Sequence, residues 1–400
     1  MLTRSCPGRW RSAASSLLAV TTLTLAACSD SNSTAPLAAP ADASLNRSGS
    51  QGPSDDRRTD RAGAVYTETN GVDGNAIVAF RRATDGSLTR LASFATGGKG
   101  IGGTVDPLTS QYSVILDDDH RSLFAVDAGS NRITSFHVNE NGGLIRIGSV
   151  SSNGVMPISL ATKGALLYVL NTGDNSLSGY LVIGNALLLP LPHSTRKLAE
   201  GANGAAAIRF TRDGRRLIVS ERVSNRFEVF PVQFDGRLGD PVVSPAVGGA
   251  SFGFDVTDRN QPIVSETQGS LTSYALSSHS ALTPITSSIS TGGAAACWVT
   301  ILDNGRFAYS TNAGSNFVAG FGVDNGGHLS ALNPGGKTGD VGAGATPIDL
   351  DHVESNFLYT LEAARGTIGA FAIHTDGSLT ARADTHVGAG SSGLQGIAAF

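Results

Sequence analysis

Residues 206–243 form the stretch that decides the fold: AAIRFTRDGRRLIVSERVSNRFEVFPVQFDGRLGDPVV. Four short apolar runs, at 206–210, 216–220, 226–232 and 241–243, are separated by polar turns that contain Asp, Asn and Gly. Runs of this length between turn residues are typical of β-strands. We interpret the stretch as one four-stranded antiparallel unit and name its strands A to D in chain order.

The same unit recurs along the chain. An aromatic residue in strand C and a leucine near the start of strand D repeat seven times, with 44 to 56 residues between successive aromatics. A period of about 45 residues with four strands is typical of a β-propeller blade. The aromatics are Phe80, Phe136, Tyr180, Phe230, Tyr274, Phe321 and Phe371, and the leucines are Leu88, Leu144, Leu187, Leu238, Leu282, Leu329 and Leu379.

The two ends of the chain predict how the ring closes. The first unit begins near Ala64 with a B strand and has no A strand ahead of it, whereas residues 396–400 resemble an A strand. We therefore predict an all-β fold, a seven-bladed β-propeller closed by pairing of the C-terminal strand with the first blade. Such pairing leaves no open sheet edge. Residues 62–400 are predicted to form this one domain.

The N-terminus predicts export. Three arginines within the first eleven residues precede an apolar run from about residue 17 to 27, which is too short to span a bilayer as a mature helix. The run ends in Leu25-Ala26-Ala27-Cys28, which resembles a bacterial lipobox. We predict that residues 1–27 are a lipoprotein signal peptide and that Cys28 is lipidated. The alternative is an ordinary signal peptide with an incidental cysteine.

The segment that follows predicts a tether and a location. Residues 28–61 are rich in Ser, Ala, Pro, Asp and Arg and lack aromatics, which favours an acylated cysteine followed by a flexible linker. Ser29 after the cysteine implies the outer membrane, facing the periplasm or the cell surface. We expect a lipid-anchored protein of the bacterial cell envelope that is monomeric. The formal net charge of −4 gives no reason to expect nucleic acid as a partner.

The repeats also resemble a known family, the seven-bladed lactonase-like propellers of the 6-phosphogluconolactonase and carboxymuconate-cyclase type. The resemblance covers nearly all of residues 62–400. It is carried by the turns Asp213-Gly214-Arg215 and Asn304-Gly305-Arg306 and by strands such as Leu167-Tyr168-Val169. Stretches such as Ala296-Cys297-Trp298-Val299 resemble an exported bacterial subgroup. The resemblance implies hydrolysis of a lactone.

The sequence departs from the family at the positions that carry this chemistry. Opening a lactone requires an activated water and a donor for the developing oxyanion. The family's Arg-His pair in the fourth blade, Glu in the following B–C turn, His in the third blade and Arg in the sixth blade are absent. In their places stand Ala206 and Ala207, Arg222 with Glu221 beside it, Ile158-Ser159, and Ala313.

A set of polar residues recurs instead, four positions before each B–C turn marker. If the blades are equivalent, these residues form a ring around the mouth, the end of the propeller that carries the B–C turns and is here called the B–C rim. Such a ring would bind a cation through oxygen atoms or hold a polyol. The alternative is that the Asp and Asn members satisfy backbone groups in each turn, which explains the four glutamates less well. The residues are Asp127, Asn171, Glu221, Glu266, Asn312 and Glu362, with Glu68 as the first-blade counterpart.

Two functions remain open. The first is an exported lactonase-like lipoprotein that binds a small polar ligand or an envelope protein at the mouth. The second is a hydrolase of a sugar or related lactone with a rebuilt site, in which Glu221 or Glu266 is the base and Arg222 the electrophile. His120 and His352 fall near A–B turns at the opposite end, the A–B rim, so no histidine triad is expected at the mouth. No cofactor is predicted, because zinc-ligand spacing is absent and the glycine-rich residues 97–103 lack the Lys-Ser/Thr pair of a phosphate loop.

Overall fold

A computed structural model describes residues 63–388 and 393–400. These residues form seven antiparallel sheets of four or five strands, arranged as the blades of a β-propeller. The predicted signal peptide (1–27), the lipidation site Cys28 and the tether (28–61) lie outside the described residues. No helix in the described part of the chain is long and apolar enough to cross a membrane.

The first three blades follow one order, in which successive strands of the chain lie progressively further from the propeller axis. Blade 1 contains β1 (Gly63–Glu68), β2 (Ala76–Arg82) and β3 (Leu88–Ala95), and blade 2 contains β4 (Val114–Leu116), β5 (Ser122–Asp127), β6 (Arg132–Val138) and β7 (Leu144–Ser151). A short 3-10 helix, Ala128–Ser130, connects β5 to β6. Blade 3 contains β8 (Pro157–Lys163), β9 (Leu166–Asn171), β10 (Ser176–Ile183), β11 (Leu187–Pro190) and β12 (Arg196–Lys197).

The remaining blades repeat this order. Blade 4 contains β13 (Ala205–Phe210), β14 (Arg216–Glu221), β15 (Arg226–Pro231) and β16 (Val242–Pro245), and blade 5 contains β17 (Ser251–Val256), β18 (Pro262–Glu266), β19 (Ser270–Leu276) and β20 (Leu282–Ser290). Blade 6 contains β21 (Ala296–Ile301), β22 (Phe307–Asn312), β23 (Phe317–Val323), β24 (Leu329–Ala331) and β25 (Lys337–Asp340). Blade 7 contains β26 (Pro347–Val353), β27 (Phe357–Glu362), β28 (Thr367–Ile373), β29 (Leu379–Ala381) and β30 (Thr385–His386).

The C-terminal strand closes the ring, as predicted. Strand β31 (Gln395–Ala399) pairs antiparallel with β1 and completes blade 1 as its first strand. The pairing continues past β31, because Ala64 and Phe400 exchange two backbone hydrogen bonds of 2.9 and 3.0 Å. The prediction of an all-β, seven-bladed β-propeller with this closure is confirmed.

Burial distinguishes the inner strands of a blade from the outer ones. Strands such as β5 and β22 are buried at every position, whereas the outer strand β3 has only exposed and half-buried positions. An inner strand packs against a neighbouring blade on both faces, so both sets of alternating side chains leave water. The seven repeat aromatics of the third strands are all buried, with at most 2% of their surface exposed.

One repeat position differs from the prediction. Leu187 of blade 3 is 46% exposed, and Leu188 is the buried residue at 3%. A shift of one residue moves every side chain of a strand to the other face. Blade 3 turns through Gly184-Asn185-Ala186, without the Asp-Gly or Asn-Gly pair that several other blades have at this turn. The leucine pattern was therefore wrong by one residue in this blade.

Tyrosines link adjacent blades. Four tyrosines on second strands each donate a hydrogen bond of 2.8–2.9 Å to the carbonyl oxygen of a turn glycine in the next blade. A buried phenol needs such a partner, because an unpaired hydroxyl in the core costs free energy. The pairs are Tyr66 with Gly142, Tyr168 with Gly236, Tyr309 with Gly377, and Tyr359 with Gly86.

Candidate functional site

The axial channel of the propeller is crossed by a segment of residues 106–112, here called the crossing segment. It belongs to the long connection from β3 to β4 and makes hydrogen bonds to the first strands of five other blades. Its Gln111 lies at the centre, with its backbone N–H donating to Ala206 O and its side-chain Nε2 donating to Val299 O at 2.8 Å. The crossing segment therefore closes the channel on the side of the B–C rim.

The backbone of the crossing segment is strained. Thr109 and Tyr112 adopt φ angles of 50° and 70°, and Asp106 adopts 44°. Positive φ values in residues other than glycine cost about 1 kcal/mol or more each and persist only where surrounding contacts hold them. Here the contacts are buried hydrogen bonds, such as the one from Trp298 Nε1 to Ser110 O at 2.8 Å. The segment is thus held across the channel against its own backbone preference.

On the other side of the crossing segment lies a cavity of about 1080 Å³ that opens at the A–B rim. Residues from all seven blades line this cavity, chiefly the ends of first strands and the A–B turns. Cavities that hold small ligands have volumes of roughly 300–1,000 Å³ and contain a few converging polar groups. We refer to this space as the A–B cavity.

An arginine, a carboxylate and a tyrosine meet at the cavity wall. Arg209 Nε lies 3.1 Å from Asp255 Oδ1, and its guanidinium carbon lies 4.5 Å from the centre of the Tyr112 ring. Burial alone would raise the pKa of Asp255, but Arg209 and the nearby Arg212 outweigh it and hold the pKa below its usual range. Tyr112 donates its hydroxyl to Phe254 O at 2.7 Å. The ion pair therefore offers a fixed donor and a fixed acceptor to the cavity.

A histidine occupies the neighbouring part of the wall. His352 Nδ1 lies 2.8 Å from Thr300 Oγ1, and His352 Nε2 lies 3.4 Å from Asp303 Oδ1. Burial by itself would lower the pKa of His352, but the hydrogen bond to Asp303 and the charges of Asp351 and Asp303 raise it above the ordinary value. Burial raises the pKa of Asp351. Asp303 orients the imidazole through Nε2, while Nδ1 faces the hydroxyl of Thr300.

The A–B cavity is acidic overall. Among the described residues that line it, eight are Asp or Glu and five are Arg or Lys. At its edge the rings of His120 and Phe400 stack, with their centres 5.4 Å apart. The cavity thus combines hydrogen-bonding groups of both kinds, a small excess of negative charge and one aromatic surface.

The predicted polar ring lies where the repeat places it, but its side chains are inside the blades. All seven residues, with Glu68 included, are the last residue of a second strand, and none exposes more than 1% of its surface. Asp127 accepts hydrogen bonds from Thr96 and Thr134 at 2.6 Å, and Glu362 accepts one from Thr367 at 2.6 Å. These bonds link the ring carboxylates to threonine hydroxyls of adjacent strands and connections.

The other members have equally local partners. Asn171 donates to Ser152 O, and Asn312 accepts a hydrogen bond from Thr291 at 2.6 Å. Burial raises the pKa of Glu68 well above its usual range, and that of Glu362 to about 7. The ring residues are not exposed at the mouth, because each side chain is buried and bonded to a nearby turn, strand or connecting segment; Asn75 of the first blade, for example, donates to both Glu68 and Asp127 at 2.9 and 3.1 Å. A ligand-binding role for these residues stays a prediction.

The three candidate catalytic residues do not meet. Glu221 pairs with Arg226 Nε at 3.0 Å and with Ser224, and Glu266 is bonded to Ser270 and Thr272. Arg222 lines a separate pocket of about 170 Å³ at the B–C rim, which neither glutamate lines. The geometry therefore does not assemble the base and electrophile that the sequence nominated.

The positions that differ from the family are structural here. Ala206 and Ala207 are fully buried, and the carbonyl of Ala206 accepts the hydrogen bond from Gln111. Ser159 Oγ accepts a hydrogen bond from Ile208 N at 3.1 Å, and Ala313 N donates to Ala295 O. Among the described residues, no three His, Cys, Asp or Glu side chains are arranged to hold a metal ion. Cys297 is buried and unpaired.

Sequence reasoning placed His120 and His352 at the A–B rim correctly but looked for the site at the other end. The signal that was missed is the unusual length of the connection between β3 and β4. Eighteen residues, 96–113, separate β3 from β4, whereas five residues, 152–156, separate β7 from β8. The structure describes no strand in the glycine-rich residues 97–103. The crossing segment lies at the end of this connection.

Comparisons with known proteins agree with this architecture. Residues 62–248 match the sequence model of the family described as "Lactonase, 7-bladed beta-propeller". Uncharacterized proteins from two strains of Staphylococcus epidermidis are 25% identical over 152 residues, which cover 36% of this chain. The match spans 44% of the length of these curated relatives.

Solved structures share the fold over most of the chain. A proposed 6-phosphogluconolactonase from Bacteroides fragilis has a TM-score of 0.67 at 16% identity and covers 86% of this chain and 100% of its own. The periplasmic gluconolactonase PpgL of Pseudomonas aeruginosa has a TM-score of 0.65 at 18% identity, with coverage of 84% and 99%. At these identities the likeness shows the fold alone. The fold defines the class: this chain is a seven-bladed β-propeller, and its residues 62–248 are similar to the lactonase-like branch of that fold.

Proposed function

We propose that this chain is an exported, lipid-anchored member of the lactonase-like propellers that binds an uncharged polyhydroxylated small molecule, such as a sugar or a sugar lactone. The ligand occupies the A–B cavity. The observation that carries the proposal is the cavity itself, which is about 1080 Å³ in volume and has oriented polar groups on its wall, while the crossing segment closes the other end of the channel.

The charge of the A–B cavity favours a ligand without a phosphate. With eight carboxylate and five Arg or Lys side chains among the described lining residues, a phosphorylated sugar would enter an acidic environment. Like charges at this range repel, most strongly where water is excluded. The donors Arg209 and His352 and the acceptors Asp255 and Asp351 suit hydroxyl groups, which donate and accept at once. The stacked His120 and Phe400 rings offer an apolar face beside them.

The comparisons support the choice of ligand class without deciding it. The fold neighbour from Pseudomonas aeruginosa is described as a periplasmic gluconolactonase, and that from Bacteroides fragilis as a proposed 6-phosphogluconolactonase. An exported protein would meet unphosphorylated sugars and their lactones, because phosphorylated sugars are cytosolic. The acidity of the A–B cavity also favours the unphosphorylated sugar or lactone over the phosphorylated one.

The binding experiment is calorimetric titration of the full chain, purified from membranes in detergent, with D-glucose, glucono-1,5-lactone and glucose 6-phosphate. We expect a neutral probe to bind and the phosphate to bind at least about tenfold more weakly. His352→Gln and Arg212→Gln, both on the cavity wall, should weaken binding about tenfold, since each removes one hydrogen-bonding or charged group.

Two matched controls separate the cavity from the rest of the rim. Arg215→Gln changes an exposed arginine of the same A–B turn, and His279→Gln changes a histidine of a distant turn; neither lines the cavity. Both should bind the sugar as the unaltered chain does. Equal weakening in controls and cavity variants, or tighter binding of glucose 6-phosphate, would contradict the proposal.

The anchor is tested separately. We expect radiolabelled palmitate to be incorporated into the full chain and to be lost in Cys28→Ser, with release of the protein from the membrane fraction. Lipidation at a single cysteine adds acyl chains whose burial contributes about 0.8 kcal/mol per methylene. Unchanged membrane association of Cys28→Ser would show that the cysteine does not carry the anchor.

A second candidate function is hydrolysis of a sugar or related lactone in the same cavity. The arrangement of His352 between Thr300 and Asp303 favours it, because a general base must lie within hydrogen-bond reach of its proton and be oriented by a further group. Proton release from glucono-1,5-lactone above the buffer rate, lost in His352→Gln and retained in Glu266→Gln, would establish it. Turnover at the buffer rate would leave the chain a binding protein.

A further inference from the structure

A second, smaller pocket lies at the B–C rim, on the opposite side of the crossing segment from the A–B cavity. Its volume is about 170 Å³. Residues 107–109 of the crossing segment form one wall, and Met156, Thr172, Ala205 and Arg222 form the rest with Gly204. No step of the proposed function uses this pocket. Its chemistry is set by its one charged residue.

Arg222 has no side-chain partner among residues 63–388 and 393–400. Its guanidinium makes no hydrogen bond or ion pair with any described residue, and its Nε atom is buried without a hydrogen-bond partner. Only its backbone N–H is bonded, to Gly204 O at 2.8 Å. A buried donor without a partner is rare and costly, more so when the group is charged.

A nearby arginine, Arg226, has the acidic partners that Arg222 lacks within the described residues. Arg226, four residues away, pairs with Glu221 at 3.0 Å and Glu228 at 3.3 Å and donates to the carbonyls of Ala199 and Glu200. An acid close enough to Arg222 to interact with it electrostatically is Asp106, whose Oδ1 accepts hydrogen bonds from Gln395 Nε2 at 3.0 Å and Ser110 N at 3.3 Å. Asp106 affects Arg222 electrostatically but does not form an ion pair with it. Burial raises the pKa of the nearby Cys297 thiol to about 12. The thiol is therefore neutral near pH 7 and does not provide a counter-charge for Arg222.

The rest of the pocket narrows the class of ligand. Pro107, Leu108 and Met156 present apolar surface, and Thr109 and Thr172 present hydroxyl groups. At about 30 Å³ per water molecule, the pocket has room for roughly five waters, or for a molecule with a similar number of heavy atoms. An anion that also has a short apolar part would satisfy the guanidinium and cover these walls.

We propose that this pocket binds a short-chain monocarboxylate, whose carboxylate pairs with the unpartnered guanidinium of Arg222 and whose alkyl part packs on Pro107, Leu108 and Met156. The site is separate from the A–B cavity and does not depend on the proposed function. A bidentate guanidinium–carboxylate pair is the strongest arrangement available to such a ligand.

The test is calorimetric titration of the full chain with sodium propionate, with sodium phosphate and sodium chloride at matched ionic strength. We expect propionate to bind in the millimolar range or tighter and to raise the melting temperature. Arg222→Gln should weaken propionate binding at least tenfold without lowering the melting temperature of the ligand-free protein, since it removes a half-buried charge that no described residue pairs. Arg222→Lys, which keeps the charge but loses the fork, should bind with intermediate affinity.

A matched control variant and several contrary results test whether Arg222 binds propionate. Arg215→Gln, an exposed arginine outside both pockets, should bind propionate normally. Phosphate or chloride binding as tightly as propionate would overturn the ligand class. Unchanged propionate binding in Arg222→Gln, or no binding at 50 mM, would overturn the site. Sugar binding in the A–B cavity is measured on the same samples, so failure of one site is distinguishable from failure of the other.

Discussion

The two ends of the propeller are built from the same repeat, yet they differ in almost every property that a ligand would meet. The A–B rim opens into a cavity of about 1080 Å³ with ion pairs and an oriented histidine on its wall. The B–C rim holds a pocket of about 170 Å³ above a closed channel. The difference comes from seven residues, 106–112, that leave the repeat and cross the axis.

This comparison shows that blade equivalence alone does not locate a site in a propeller. The polar ring at the ends of the second strands is regular in all seven blades and is buried in all of them. The irregular parts, namely the crossing segment and the cluster of Arg209, Asp255 and His352, are the ones that face open space. In this propeller the ring positions, which repeat in every blade, are buried, whereas the positions that break the repeat form the candidate sites.

The largest effect expected is on the ion pair at the A–B cavity. Arg209→Ala leaves Asp255, whose side chain is 2% exposed, without its cation. Breaking a fully buried pair by removing one partner costs about 3–5 kcal/mol in the free energy of unfolding, and because the Arg209 side chain is 33% exposed we expect about 3 kcal/mol here. Urea denaturation measures this loss. Arg215→Ala, at an exposed position on the same rim, should cost less than about 0.5 kcal/mol; equal losses would show that the pair is not a stabilising element of this end.

The next effect concerns closure of the other end. Gln111→Leu removes the hydrogen bond to Val299 O and leaves that buried carbonyl without this partner. We expect a loss of about 2–3 kcal/mol and faster amide exchange in the first strands that contact the crossing segment. Gln261→Leu, whose amide bonds to Gly326 O at an outer turn, should cost under about 1 kcal/mol. Similar values for the two variants would mean that the segment does not hold the channel closed.

The third prediction concerns how the free energy of unfolding depends on pH through Asp106 of the crossing segment. Burial raises the pKa of Asp106 from 3.8 to about 7, so the folded state keeps a proton that the unfolded state releases above pH 4. The free energy of unfolding therefore falls as pH rises from about 4 to about 7 and levels off above that. Asp106→Asn, which stays neutral, should be more stable than the unaltered chain at pH 8 and nearly equal to it at pH 4.

Glu362 and Glu228, whose pKa values are also about 7 because of burial, contribute to the same window in both proteins. The difference between Asp106→Asn and the unaltered chain removes their contribution. Denaturation curves at pH 4, 6 and 8 measure it. A difference that does not change with pH would show that Asp106 titrates near its ordinary value in the folded state.

The smallest effect expected is in the polar ring. Glu266→Gln keeps an acceptor for Ser270 or Thr272 and should cost about 1 kcal/mol, with no change in sugar binding at the A–B cavity. Thermal unfolding and calorimetry measure both quantities. A loss of sugar binding without a loss of stability would return the ring to the list of binding residues and weaken the distinction between the two ends.

The sequence by itself determined the architecture and the position of every repeat element except one. Blade number, ring closure by the C-terminal strand and the place of the ring residues follow from a local period, because turn residues and alternating burial act between neighbours in the chain. The exception, Leu187, lies where the turn lacks its usual pair. The sequence also placed His120 and His352 at the A–B rim, where both line the cavity.

Only the tertiary structure decided which end of the propeller is open. The crossing segment is held by contacts such as Gln111 with Val299, 188 residues away in the chain, and Gln395 with Asp106, 289 residues away. No local pattern encodes a contact of that span, since it depends on the ring having already brought the first strands together. The same long-range packing buried the polar ring, formed the A–B cavity and left Arg222 without a partner in the described part of the chain.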